Sequence, residues 1–252
     1  MEQLRVLKAG KNSRFHRITV FDEVTSTNSV LLEKCFEPNN EAQAMVALHQ
    51  SQGRGRQNRT WVDEPGDSLL MSSMFLNGSL ELGLIPLLAG MALAEVASSY
   101  IKEEVELKWP NDLLVRGHKL AGILVEARTR GEQTWVVIGT GMNRVTPKIE
   151  GVSATSFADY ATPPSVDELA AKVLAAIDSK LTWAESVPSG VVAQAYEKKC
   201  ILIGKQVSGV GADGTEISGT AVGIEESGAL LVDLAESGLA SFAAGDVHLA
   251  NG

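Results

Sequence analysis

The segment VELKWPNDLLVRGHKLAGILVEARTRGEQTWVVI, residues 105–138, decides the fold class of this 252-residue chain. It holds three strand-like stretches, at 105–109, 120–126 and 134–138, and a polar turn that begins at Pro110 links the first two. A parallel pair of strands needs a crossover of a dozen or more residues, usually a helix, and no helical period separates these stretches. The pattern therefore predicts strand-turn-strand pairing rather than βαβ units.

Helices and further strands flank this segment on both sides. Apolar residues at helical spacing predict three helices packed on the sheet, at 84–101, 166–183 and 191–199. Short apolar runs predict further strands at 18–21, 44–48 and 69–76. The capping residues at 25–28, TSTN, predict the start of another helix. Residues 1–17 show little apolar periodicity and are interpreted as a short basic arm. The expected class is α+β, a mixed β-sheet with packed helices.

The character of the chain changes at about residue 205. Short β-rich pieces alternate there with glycine-containing turns, at 206–210, 216–224, 229–234, 240–243 and 247–249. This spacing predicts a small β-barrel appended to the larger unit. The predicted organisation is a catalytic domain at 1–203 and a small barrel at 204–252.

Composition excludes several classes of protein. The formal net charge is −9, which argues against binding nucleic acid over the whole surface, because phosphate neutralisation needs a basic face. Cys35 and Cys200 offer neither a disulfide framework nor metal-ligand spacing. The N-terminus lacks the apolar centre of a signal peptide, and the longest apolar run, at 82–97, is interrupted by glycine and proline and is too short for a bilayer. A cytoplasmic protein without a membrane partner is expected.

The segment QSQGRGRQNRTW, residues 50–61, is the most informative for chemistry. Arg54, Arg56 and Arg59 alternate with small or polar residues, and arginine pairs with phosphate or carboxylate through a planar fork. The glycines let the backbone approach an anion, and Trp61 could anchor the end of the loop. We interpret residues 53–59, the arginine loop, as an anion-binding loop. A solvated basic turn and an RNA-binding Arg-Gly stretch are the alternatives.

Three further motifs follow predicted strands. In KWPND, residues 108–112, Asn111 and Asp112 stand at a strand end, where Asp112 could hold a metal or position an amine, or could belong to an ordinary turn. In KLAGILVE, residues 119–126, Lys119 precedes a buried run and could neutralise an anionic substrate, and Gly122 indicates a close backbone approach. In GTGMN, residues 139–143, two glycines give only a weak phosphate-loop signal.

In this order and at these spacings, the four motifs resemble the signature of the biotin–protein ligases, and 26–28, STN, is similar to an upstream element of that family. The resemblance runs from about residue 20 to the C-terminus. It implies a class II synthetase-like mixed sheet with an SH3-like C-terminal barrel. It also implies an adenylate-forming ligase whose substrates are biotin and ATP with Mg²⁺ and whose partner is a biotin carboxyl carrier domain.

The resemblance also implies roles for individual residues. The catalytic residues would be Lys119, Arg54, Arg56 and Asp112. Biotin would be bound by Ser26, Thr27, Gln50, Gly53, Arg54, Arg56, Lys119 and Gly122. The nucleotide would be bound by Arg54, Arg56, Arg59, Trp61, Asn111, Lys119 and Asn143. Asp112 is also the candidate ligand for Mg²⁺ and the candidate to orient the incoming lysine.

The chain departs from the family pattern at three positions. Asn58 stands where the family usually has glycine, and asparagine tolerates a left-handed backbone better than most residues. Met142 replaces a commoner isoleucine. Ala250 falls where a basic residue is common, which weakens the case for a nucleotide contact from the barrel. The DNA-binding domain of repressor members is expected to be absent, because only about twenty residues precede the catalytic domain.

Two other functions remain open at this level. A lipoate–protein ligase would share the fold and the adenylate chemistry but lacks such an arginine-rich loop. A non-catalytic biotin-binding or nucleic-acid-binding regulator would not need Lys119 and Asp112. Since ligases of this kind can be monomers or dimers, a homodimer is a possible assembly, and no DNA partner is expected.

Overall fold

The computed structural model describes residues 2–8, 13–37, 41–148, 153–211, 214–235 and 238–250. The first eight strands are β1 (Gln3–Lys8), β2 (Arg17–Val24), β3 (Gln43–Gln50), β4 (Ser68–Asn77), β5 (Val105–Lys108), β6 (Asp112–Val115), β7 (His118–Arg130) and β8 (Gln133–Asn143). They form one sheet in the order β1-β2-β3-β4-β8-β7-β6-β5. Strands β2 and β3 pair in parallel and the other neighbours antiparallel, so the predicted mixed sheet is confirmed.

The helices are α1 (Thr27–Lys34), α2 (Ile85–Ser98), α3 (Val166–Ala184) and α4 (Ser189–Glu197), close to their predicted positions. Ser26 is the N-cap of α1, as the capping cluster predicts, and α1 provides the crossover between the parallel strands β2 and β3. Ser165 is the N-cap of α3. The first turn of α3 carries two acidic residues, whose negative charges interact favourably with the positive end of the helix dipole. Among the described residues no helix has the length and apolar character needed to cross a bilayer.

Two strands were not predicted. The interpretation of 1–17 as an arm is wrong for Gln3–Lys8, which form β1 and pair with β2. The apolar signal failed because Leu4 and Val6 are exposed, whereas the strand is held by backbone pairing and by an ion pair between Arg5 and Asp167. The basic residue Lys11 of that arm lies outside the described residues.

The second missed strand lies inside the predicted polar turn. Leu113, Leu114 and Val115 are buried in β6, which pairs with both β5 and β7. A four-residue strand between two turns is too short for a periodic signal. Its consequence is that Asp112 begins a strand and stands opposite Gly122 of β7.

The C-terminal strands are β9 (Gln206–Gly211), β10 (Glu216–Ile224), β11 (Leu230–Asp233), β12 (Leu239–Phe242) and β13 (Gly245–Leu249). They form one antiparallel sheet in the order β12-β11-β10-β9-β13. The predicted small β-unit is confirmed, but the closed barrel is corrected to an open sheet. Closure requires pairing between the two edge strands, and in the parts of the chain that the structure describes β12 and β13 do not pair.

The C-terminal sheet packs firmly against the larger sheet and its helices. Both contribute to one hydrophobic core, to which the C-terminal sheet supplies residues such as Val207 and Leu230. The buried indole of Trp109 donates to the carbonyl oxygen of Gly228 at 3.0 Å. Gly83 also meets this sheet so closely that a Cβ there would stand 2.2 Å from the carbonyl oxygen of Ser227. The division at 203/204 stays a prediction, because the core is continuous across it.

Candidate active site

A cavity of about 380 Å³ opens where the large sheet, the arginine loop and strand β13 meet. Its floor consists of β7 and β8 with the start of α1 and the end of β3. The arginine loop covers one side, and Gly245 and Asp246 of β13 close another. The cavity therefore lies between the two sheets and is bounded by both.

One end of the cavity is polar and carries little charge. The backbone N–H of Thr27 donates to Oε1 of Gln50 at 2.7 Å, and the hydroxyl oxygen of Thr27 lies 3.0 Å from the same atom. Ser26 and Thr27 are almost fully buried at the N-terminus of α1, where helix geometry leaves backbone donors unpaired. The predicted residues Ser26, Thr27 and Gln50 thus come together from the start of α1 and the end of β3, which follow one another in the chain.

Trp61 packs directly against the floor, because Gly122 and Gly141 carry no side chain and Gly53 of the loop lets the backbone of Trp61 come close. A Cβ on Gly141 would come within 2.6 Å of the Trp61 ring, and a Cβ on Gly122 would come within 3.1 Å of Trp61 and Lys119. Gly53 meets the backbone of Trp61, since its Cβ would stand 2.4 Å from that carbonyl oxygen. Trp61 Nε1 is buried without a hydrogen-bond partner and is available to a ligand.

The opposite end of the cavity is cationic. Nζ of Lys119 lies 2.7 Å from Oδ1 of Asp112 and 5.8 Å from the centre of the Trp61 ring. Lys108 also lines this end, and burial lowers the pKa of its ammonium group although Asp112 and Asp246 favour the charged form. An anion at this end would contact the lysines in a partly desolvated site, where each charge acts more strongly than in water.

The arginine loop connects the floor to the C-terminal sheet. Arg56 donates to Oδ1 of Asn111 at 2.9 Å and to the carbonyl oxygen of Gly245 at 3.2 Å. Burial lowers the pKa of the Arg56 guanidinium, which remains charged at neutral pH. Arg59 forms an ion pair with Asp246. Two arginines of the loop therefore contact β13, while Gln57, Asn58 and Arg59 are exposed.

The backbone of the loop explains the departure at Asn58. Gln57 and Asn58 both adopt left-handed conformations, with φ of 53° and 58°. Asparagine reaches this region at a lower cost than most residues. The left-handed backbone of Asn58 accounts for the choice of asparagine at this position, and the effect of Asn58 on the loop stays a prediction.

Asn143 and Asp112 mainly contact the protein itself. Asn143 lines the cavity, but its Nδ2 donates to the carbonyl oxygen of Thr155 at 3.0 Å and is 3.4 Å from that of Lys119. The carboxylate of Asp112 is paired with Lys119. Within the described ranges no three His, Cys, Asp or Glu side chains are grouped for a metal. The nucleotide role of Asn143 and the metal role of Asp112 stay predictions.

Sequence reasoning missed several charged and polar groups of the site. Glu126 pairs with Arg54, and Asp246 pairs with Arg59, although each partner is distant in sequence. Nδ1 of His248 lies 3.0 Å from Nζ of Lys108. Asn28 and Ser72 join Glu126 to Thr27 through hydrogen bonds. Asn28 lies in the motif STN, residues 26–28, and Glu126 in KLAGILVE, residues 119–126. Membership of these motifs was the one sequence signal that could have pointed to the two residues.

Comparisons with known proteins agree with this geometry. Residues 20–143 match the biotin/lipoate A/B protein ligase family, and residues 202–249 match the biotin protein ligase C-terminal domain. A biotin–[acetyl-CoA-carboxylase] ligase of Mycobacterium tuberculosis is 30% identical over 98% of this chain and 94% of its own length. The bifunctional ligase/repressor of Escherichia coli is 30% identical over 86% of this chain and 69% of its own length.

Solved structures give the same result for the whole fold. A biotin protein ligase from Aquifex aeolicus in complex with biotin and ATP has a TM-score of 0.76 and 26% identity, and the match covers 92% of this chain and 99% of that one. Together with the ligase of M. tuberculosis, whose length this chain spans almost completely, these matches decide the family. The chain belongs to the biotin protein ligases within the biotin/lipoate A/B protein ligase family.

Proposed function

We propose that the protein activates biotin with ATP and transfers it to a lysine of a biotin carboxyl carrier domain. The observation that carries this proposal is the polarity of the cavity. Neutral hydrogen-bonding groups stand at the end with Thr27 and Gln50, and cations at the end with Lys119 and Arg56. A molecule with a polar, uncharged head and a carboxylate tail fits this arrangement, and biotin is such a molecule.

Biotin would bind with its ureido ring against Ser26, Thr27 and Gln50. Its apolar body would lie alongside the Trp61 ring, which packs on the glycine floor at Gly122 and Gly141. The carboxylate would then lie near Lys119 and Arg54 or Arg56, which offer charge-assisted hydrogen bonds. Gly53 lets the arginine loop approach the backbone of Trp61 closely, and the loop would then cover the bound acid.

In the first step an oxygen of the biotin carboxylate attacks the α-phosphorus of ATP, and the bond to the β-phosphate breaks. The products are biotinyl-5′-AMP and pyrophosphate. Lys119, with Arg54 and Arg56, would hold the two anions in line and stabilise charge on the phosphoryl oxygens. Arg59, Trp61, Asn111 and Asn143 would contact the nucleotide part.

Mg²⁺ would enter with the phosphates of ATP, since it commonly binds through one or two carboxylates and substrate phosphates. Asp112 is its candidate protein ligand, because one of its oxygens faces Lys119 and the carboxylate borders the cavity. When bound, the ion would neutralise the departing pyrophosphate. Lys119 and the arginines remain responsible for orientation.

In the second step the neutral amine of the carrier lysine attacks the acyl carbon, the bond to AMP breaks, and the amine loses a proton. Asp112 could orient that amine or accept the proton. Because the mixed anhydride hydrolyses in water, the arginine loop would shield it until the carrier arrives. The natural carrier is a carboxylase subunit, and no DNA partner is proposed.

The experiment that tests the function is ATP–pyrophosphate exchange with purified protein and biotin, lipoate or octanoate in parallel reactions. Exchange that depends on biotin alone is expected. Exchange with lipoate alone would overturn the substrate assignment and favour a lipoate ligase. Biotin binding without any exchange would indicate a non-catalytic binding protein and would contradict the proposal.

A further inference from the structure

A third carboxylate, besides Asp112 and Asp246, adjoins the arginine loop: that of Glu126, which pairs with Arg54. Glu126 stands near the middle of β7 with 27% of its side chain exposed, and Oε2 accepts a hydrogen bond from Arg54 of the loop. The same oxygen accepts from Nδ2 of Asn28 at 2.9 Å. A negative charge beside a site for two anionic substrates opposes their binding. We therefore expect Glu126 to make a contribution that outweighs this unfavourable effect.

The hydrogen bonds of Asn28 lead from Glu126 to the polar end of the cavity. Asn28 is almost fully buried in α1, and its Nδ2 also donates to the carbonyl oxygen of Leu124 at 3.1 Å. On its other side Oδ1 is 2.6 Å from Oγ of Ser72. A Cβ on Gly139 would stand 2.2 Å from this oxygen, so a glycine is required where the amide crosses the sheet.

Ser72 completes the connection. Its single hydroxyl proton is donated to Oδ1 of Asn28, so its oxygen accepts from Oγ1 of Thr27 at 2.7 Å, and the backbone N–H of Thr27 donates to Oε1 of Gln50 at 2.7 Å. Gln50 is the last residue of β3, three positions before the arginine loop. The backbone runs from Gln50 into the arginine loop. A path of hydrogen bonds leads back from Arg54 of the loop to Gln50, through four residues: Glu126, Asn28, Ser72 and Thr27.

We propose that Glu126 is a positioning residue that couples the orientation of Arg54 to the geometry of Thr27 and Gln50, the groups assigned to the biotin head. This inference rests on the proposed function. Binding at the polar end would order the network and so hold Arg54, and with it the loop, over the substrate. Networks of buried hydrogen bonds transmit such constraints because each member has few alternative partners.

The network predicts a specific kinetic signature. Loss of the ion pair should weaken the binding of biotin and the retention of the adenylate most, while KM for ATP should change less, because Arg56, Arg59 and Lys119 would still contact the nucleotide. Glu126→Gln keeps an acceptor for Asn28 but removes the charge that pairs with Arg54. Glu126→Ala removes both contacts, so its effect should be larger.

The test measures pyrophosphate exchange and the rate of release of biotinyl-5′-AMP for both variants. For Glu126→Gln we expect KM for biotin to rise about fivefold to tenfold, with KM for ATP within about twofold of the parent. Adenylate release should accelerate by a similar factor. In the Arg54→Ala background, Glu126→Gln should add little further effect, because the pair is already broken and the acceptor for Asn28 is kept.

The matched control is Glu103→Gln, which breaks an ion pair of Glu103 with Arg116 at 3.1 Å away from the cavity and should leave all constants unchanged. Thermal unfolding checks each variant, and Ser72→Ala replaces Glu126→Ala if that protein does not fold. Unchanged KM for biotin and unchanged release in folded Glu126→Gln would overturn the inference. Absence of biotin-dependent exchange in the parent protein would instead overturn the proposed function.

Discussion

The floor of the cavity and the arginine loop hold their side chains in different ways. The floor relies on burial and close backbone approach: Gly139, Gly141 and Gly122 have no room for a Cβ without meeting Asn28, Trp61 or Lys119. The loop relies on long side chains that cross to other elements, as in the pairs of Arg54 with Glu126 and Arg59 with Asp246. The floor is therefore preformed, whereas the loop is held by contacts that solvent and salt can weaken.

This difference separates two tasks. A preformed floor is suited to the alignment of reacting groups, because alignment contributes most when no reorganisation is needed at the moment of reaction. A loop held by a few exposed ion pairs can open for substrates and close over an intermediate. We expect changes in the floor to affect formation of the adenylate, and changes in the loop to affect its retention.

The largest expected effect is in the floor. Lys119→Met should lower the rate of biotin-dependent exchange about 10³-fold, equivalent to ~4 kcal/mol, because one charged donor to the reacting groups is lost. Exchange kinetics with radiolabelled pyrophosphate measure it. Lys102→Met, at an exposed lysine, is the control and should match the parent. A Lys119→Met rate within tenfold of the parent would remove this lysine from the chemical step.

A smaller effect is expected at the segment that supports Lys119. The backbone of Ser153 and Thr155 pairs with Lys119, and Thr155 also donates to Asp159 at 2.7 Å. Burial opposes ionisation of Asp159, but hydrogen bonds from Thr146, Thr155 and Ser156 outweigh it and hold the pKa of its carboxyl below the usual value. This contribution to stability is present above pH ~4 and is lost as the pH falls through the lowered pKa.

Asp159→Asn should therefore reduce the free energy of unfolding by about 1 kcal/mol at pH 7, the usual range for loss of a capping group. The deficit relative to the parent should shrink as the pH falls below about 4. Denaturant titrations at pH 7 and pH 3 measure both. An equal deficit at the two pH values would show that the charge of Asp159 is not the cause.

The smallest expected effect is within the loop backbone. Asn58→Gly should change the free energy of unfolding by less than about 0.5 kcal/mol, since glycine adopts the left-handed conformation but loses more entropy on folding. Asn58→Ala should cost about 1 kcal/mol at the same φ. Chemical denaturation of the two variants compares them. If both variants were equally stable, the left-handed backbone of Asn58 would not limit the choice of residue.

The sequence predicted the parts of the molecule that have a local signal. Helices α2 and α3 were found from their period, and Ser26, Thr27, Lys119 and Asp112 from motifs. Strand β1 was missed because its apolar residues face outward, and β6 because four residues show no period. Glu126 and Asp246 were missed because their partners, Arg54 and Arg59, are 72 and 187 positions away. Only the folded chain brings these charges together.

The division between floor and loop is tested most directly at Arg56, which is bonded to Asn111 in the turn between β5 and β6 and to Gly245 in the C-terminal sheet. The measurement is the rate at which preformed biotinyl-5′-AMP leaves the Arg56→Ala protein, followed by biotinylation of bystander proteins. We predict that release accelerates at least about tenfold. An Arg56→Ala protein that retains its adenylate as long as the parent would contradict the role of the loop.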